Sequence, residues 1–177
     1  MHSAKALHAL PKFCLPRRQL VVVSLGAIVC SRRFQAQSFE VRSALAEFLG
    51  GARSAYEMIL MAFESGDRDT LRGLLAPDVF DAFDRGISDR EGKGLKVDAR
   101  FIGVRDVRLE RAAFDPATGE ADLTLRFVGE LVTAVRDTEG RVVEGDPNEV
   151  RRQTDIWTFS RKMGARDPNW LLAATGE

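Results

Sequence analysis

The hydrophobic period of this chain changes at about Leu95, from the spacing that lines a helix face to the spacing that lines a strand face. That switch restricts the fold to helices first and strands second. Between Phe39 and Ser65 apolar residues recur at Leu45, Phe48, Leu49, Ala52, Tyr56, Ile59 and Phe63, while Glu40, Arg42, Glu47, Arg53, Glu57 and Glu64 occupy the other face. Ser65-Gly66 ends this helix, and Gly50-Gly51 within it reads as close packing on a neighbour. Asp67 is placed to cap a second helix whose buried stripe is Leu71, Leu74 and Leu75. Pro77 opens a third, running through Val79, Phe80, Phe83 and Ile87. Residues 88 to 94, SDREGKG, hold no apolar side chain and read as an exposed loop.

Beyond this loop alternation takes over. Val97, Phe101, Val107 and Leu109 share one face of a first strand, with Ile102 and Val104 out of phase around Gly103, which predicts a bulge there. After the turn at 115–119, Ala121, Leu123, Leu125, Phe127, Leu131, Thr133 and Val135 line one face of a second strand, against Asp122, Thr124, Arg126 and Glu130. Gly129 breaks the apolar row and marks a bend. Turns at 138–141 and 145–148 flank a short Val142-Val143 piece, and further strands follow at about 150–161 and 170–174. In the former, Asp155, Trp157, Phe159 and Arg161 fall on one face. The expectation is an α+β domain, about three helices on a curved antiparallel sheet of about four strands.

Charge divides the chain differently. Six of the 26 Lys and Arg residues lie in the first 39 positions, and the first acid is Glu40, which leaves 20 basic against 26 acidic residues in the remainder. Phosphate binding needs a clustered positive field, so a mildly acidic body argues against nucleic acid. Residues 1–38 read as a basic leader and 39–177 as the domain. Within the leader LVVVSLGAIVC, residues 20–30, is about half the ~20 apolar residues of a simple bilayer span. Arg17-Arg18 and Arg32-Arg33 bracket it. Three readings stay open: a signal or interfacial membrane anchor, a transit peptide, and an unstructured leader or misassigned start. Cys14 and Cys30 both lie in the leader, so the domain has no disulfide.

The stretches FLGGARSAYEMILMAFESGDRDTLRGLLAPDVFDAF at 48–83, EGRVVEGDPN at 139–148, and TDIWTFSR with RDPNWLL between 154 and 172 resemble the Tim forty-four-like domain family. The resemblance implies a cone-shaped fold of the nuclear-transport-factor-two-like superfamily, with a hydrophobic cavity between helices and sheet. It also implies peripheral association with an inner membrane, on the matrix face in mitochondria, where the related scaffold docks a heat-shock chaperone to a translocation channel. The long charged N-terminal region of mitochondrial members has no counterpart here, and the apolar run is shorter than the transmembrane helix typical of bacterial members.

Relatives on the same superfold include enzymes with acid and base groups inside the cone. Histidine occurs only at His2 and His8, outside the domain, which removes the usual general base. Tyr56 with an inward carboxylate such as Asp155 is the remaining catalytic pattern, set against Tyr56 as plain core. His2, His8, Cys14 and Cys30 match no metal-ligand spacing, so neither metal nor cofactor is expected. A partly buried Asp155 needs a cation, and Arg53 and Arg161 are the candidate partners, as a rim pair or an ordinary surface pair. Phe48, Tyr56, Phe83, Phe101, Leu125, Phe127, Trp157 and Phe159 either line a cavity or fill it as core. The function expected is a non-enzymatic, membrane-peripheral adaptor with anionic lipid and a translocase or chaperone as partners. The alternative is a small-molecule-binding or enzymatic cone domain.

Overall fold

The computed structural model describes residues 32–176, with side chains from Ala44 onward. The apolar run at 20–30 and His2, His8, Cys14 and Cys30 lie outside the described residues. Helix α1 spans Arg32–Ser65, starting ahead of the expected Phe39, and buries Ala52, Tyr56, Ile59 and Leu60 along one stripe. Gly66 in the left-handed region ends it. Asp67 then caps α2 (Arg68–Leu74), its carboxylate accepting from the Thr70 backbone N–H at 3.1 Å. Among the described residues no helix is long and apolar enough to cross a membrane.

Helix α3 (Pro77–Gly92) runs further than expected. Residues 88–92 are helical, not loop, because their charged side chains have partners on the neighbouring helices. Arg68 of α2 reaches Asp84 at 2.6 Å and Glu91 at 2.9 Å, and Arg90 lies 5.0 Å over the Phe63 ring. The Arg90 guanidinium donates to the Phe63 and Glu64 carbonyls, two of those left open where α1 ends. Glu64, placed by periodicity on the solvated face, is therefore buried, with one oxygen 3.2 Å from Arg90. Gly50 and Gly51 also depart from expectation: both are exposed, and a Cβ on either meets nothing within 4 Å.

Desolvation, with the Glu144 charge adding to it, holds the Glu64 carboxyl above the usual carboxylate range even though Arg90 pulls the other way. A raised folded-state value means this group supports the fold fully below the ordinary value of 4.5 and loses that support as pH rises. Glu64→Gln keeps an acceptor for Arg90 and removes the charge. It should melt above the wild type at pH 8, with the gap closing towards pH 4, as read by circular dichroism. A gap that widened towards low pH would contradict this assignment.

The five strands are β1 (Lys96–Asp115), β2 (Glu120–Arg136), β3 (Val142–Gly145), β4 (Arg151–Lys162) and β5 (Leu171–Gly176). All pairs are antiparallel, in the order β1-β2-β4-β5. One edge of β2 carries β1. The other carries β4 along Glu120–Leu131 and β3 along Ala134–Arg136. The register slips between Phe101 and Gly103, where the out-of-phase pattern predicted a bulge, and twice more along β1. Gly145, at φ +78°, lets β3 lie against β2: a Cβ there would stand 2.2 Å from the Thr133 carbonyl oxygen. The architecture is the α+β one expected, three helices packed on an open antiparallel sheet, with five strands rather than about four. Trp170 sits just ahead of β5, not inside it, against Phe48 at 5.1 Å.

Candidate functional site

The interior between α1 and the sheet is built from aromatic side chains in direct contact. Tyr56 is fully buried, its ring stacked on Phe127 at 4.5 Å and 9° and tilted against Trp157 at 4.7 Å. Phe101 meets its edge at 6.2 Å. Phe159 joins the cluster to Phe48 at 6.3 Å, and Leu125 lies buried beside Trp157 in register. Phe83, on α3, is paired with Phe63 near the end of α1 at 5.0 Å. All eight candidate interior residues thus belong to one apolar core, which buries them by contact with each other.

One polar constellation sits inside this core. The Tyr56 hydroxyl donates to Asp155 Oδ2 at 2.5 Å, and Gln153 Nε2 donates to the same oxygen at 2.9 Å and to the Tyr56 oxygen at 3.1 Å. Gln153 and Asp155 are two residues apart on β4, so period 2 sets both on the inner face. Gly129 on β2 makes the room. It lies opposite Gln153 in register, and a Cβ there would stand 2.7 Å from the Tyr56 hydroxyl. The sequence offers Tyr56 with Asp155 only as a catalytic pattern beside Tyr56 as plain core, and the two are joined here by a hydrogen bond inside the core. Gln153 and Gly129 were missed, although both share that face by period, and the break at Gly129 was read as a bend.

Burial first, then the Asp155 charge and its hydrogen bond, push the Tyr56 phenol well above its ordinary range. A phenol in that state keeps its proton at any physiological pH. It cannot act as a base, and its one O–H is already donated to Asp155, so it is not free to stabilise an oxyanion on a substrate. The arrangement instead ties α1 to β4 through the middle of the core. Tyr56→Phe removes that bond and leaves a partly buried carboxylate short of a donor, an expected loss of about 1–2 kcal/mol in chemical denaturation. An unchanged stability would show that the bond contributes nothing.

Arg53 is exposed on α1, and Arg161 is half-buried at the far end of the Asp155 face. Asp155 accepts from Tyr56 and Gln153. Arg161 Nε and the buried Trp157 Nε1 have no hydrogen-bond partner among the described residues. Among those residues there is also no group of three metal-ligating side chains.

A helical layer on an antiparallel sheet, closed by an aromatic core with an internal tyrosine–carboxylate link, defines an α+β domain. A family model described as Tim44-like domain matches residues 35–177, and the chain belongs to that family. Curated relatives are the mitochondrial import inner membrane translocase subunit TIM44 of Homo sapiens, 28% identical over 110 residues, and that of Rattus norvegicus, 26% identical over 110 residues. Each alignment covers 62% of this chain and 24% of the relative, so the chain spans about a quarter of their length. Among solved structures, the intermembrane space region of chloroplast protein ARC6 is similar at a TM-score of 0.40 and 12% identity, covering 62% of this chain and 75% of that one. A likeness that slight carries no argument about function.

Proposed function

We propose that this chain is a non-enzymatic adaptor that gathers protein partners at an inner membrane, peripherally seated, in protein translocation or the assembly of inner-membrane proteins. The observation that carries this reading is the family match over nearly all of the described residues, together with relatives that are subunits of an inner membrane translocase. The spent hydroxyl of Tyr56 supports the non-enzymatic part, because the interior polar group best suited to chemistry is engaged with Asp155.

In-cell crosslinking of the intact protein, followed by pull-down, tests the adaptor reading. Recovery of translocase or chaperone subunits is the expected result, and recovery of none overturns it. Flotation with anionic liposomes tests the membrane part, comparing the full chain with one beginning at Ser38. If neither floats, the peripheral seating is wrong. If only the full chain floats, residues 1–37 supply the contact.

A further inference from the structure

The outer face of the sheet, turned away from the helices, concentrates positive charge that the composition of the chain conceals. Residues paired across antiparallel strands point to the same face, so the register places Arg108 opposite Arg126, with Ile156 next on β4. The adjoining row is Arg111, Thr124 and Thr158, whose two threonine hydroxyls lie 3.0 Å apart. Nearby, Arg105 and Arg152 both grip Glu130, at 2.5 and 2.9 Å. Arg108 reaches Asp106 at 2.7 Å, while the described ion pairs leave Arg111 and Arg126 unmatched. Five arginines on three adjacent strands therefore share this face with three carboxylates, Asp106, Asp122 and Glu130.

Like charges directly opposite each other in a sheet destabilise it, and at Arg108 and Arg126 the described ion pairs offset this only through the exposed pair of Arg108 with Asp106, with none at Arg126. A local rule broken for so small an internal gain points outward, to something that binds there. An anion between the two guanidiniums would convert the repulsion into charge-assisted, bidentate hydrogen bonds. The shape of the band selects the anion. It is two rows wide and is bounded by Asp106 on one side and by Asp122 on the other, where Ser160 faces it. A broad polyanionic surface such as a bilayer would press on those carboxylates as well. A narrow chain crossing the strands would meet only the arginines, the threonine hydroxyls and the half-buried Ile156.

The geometry points to this band as a docking surface for an extended, acidic polypeptide segment of a partner protein. The inference rests on the adaptor reading and names the chemistry of what is gathered. Its test is fluorescence anisotropy of the full chain with a fluorescein-labelled peptide of alternating glutamate and serine, at low and at physiological salt. The wild type should bind, more weakly as salt rises. The double variant Arg108→Ala, Arg126→Ala should bind about tenfold more weakly, a change of ~1.4 kcal/mol, while melting close to wild type, because the lost repulsion offsets the lost exposed pair of Arg108 with Asp106. Arg111→Ala, on the edge strand, should weaken binding without touching the fold, and Arg85→Ala on α3 should change nothing.

Equal binding by wild type and the double variant overturns the proposal, and so does the absence of binding at low salt. Tighter, arginine-dependent binding to vesicles of anionic phospholipid or to RNA overturns it too, since the occupant would then be a phosphate surface. The adaptor reading fails separately. If in-cell crosslinking recovers the same partner equally well from the double variant, the adaptor stands and this surface is not where it binds. If the peptide binds but the wild type captures no protein in the cell, the opposite holds.

Discussion

Trp157→Ala should be the most damaging single substitution in the domain, lowering stability by about 3–5 kcal/mol. The indole is fully buried and touches Tyr56, Phe127 and Phe159, with ring centroids at 4.7, 5.8 and 6.3 Å. It stands on the strand that is hydrogen-bonded to both β2 and β5, so the cavity left behind cannot close without moving the sheet against α1. The loss is a large part of the ~5–15 kcal/mol that holds an ordinary domain together. Thermal unfolding followed by circular dichroism should show a midpoint roughly 10 °C lower or more. A drop of only a degree or two would mean that this interior is not the packed core described above.

Gly129→Val should cost about 3 kcal/mol through the opposite fault, too much volume. The first added carbon already falls 2.7 Å from the Tyr56 hydroxyl and 2.9 Å from its ring, and the ring has no free side to move to, held between Phe127, Trp157 and Phe101. Relief requires Tyr56 to leave its seat, which breaks the bond to Asp155 and the link from α1 to β4. The diagnostic is the pairing of effects. In Gly129→Val, Tyr56 fluorescence and near-ultraviolet dichroism should change together with stability, and adding Tyr56→Ala should recover part of the loss. Additive losses in the double variant would show that the two residues do not compete for space.

The change of hydrophobic period marked most of this fold without a structure. The helices and strands followed from spacing apart from the early start of α1, the extension of α3 and the later start of β5, and the aromatic interior followed from the facing of Phe127, Trp157 and Phe159. The failures share a cause. The charges of residues 88–92 and of Glu64 predict solvation, whereas Arg90 and Arg68 supply partners that only the packing of three helices brings near. Gly129 looked like a defect in an apolar row, yet it is the gap that a tyrosine on another element fills. Arg126 and Arg108 lie far apart in the chain, and strand pairing alone makes them neighbours. What periodicity cannot carry is the identity of the partner across the gap, and the polar link at Tyr56 depends wholly on that.

In the proposed function the buried Tyr56–Asp155 link holds the domain and the surface binds the partner. The measurement that tests it most directly is in-cell crosslinking and pull-down with Tyr56→Phe, scored per folded molecule against wild type. The account predicts lower stability with partner capture unchanged. Loss of capture in a variant that is still folded would contradict it, and would make the buried pair a functional site in its own right.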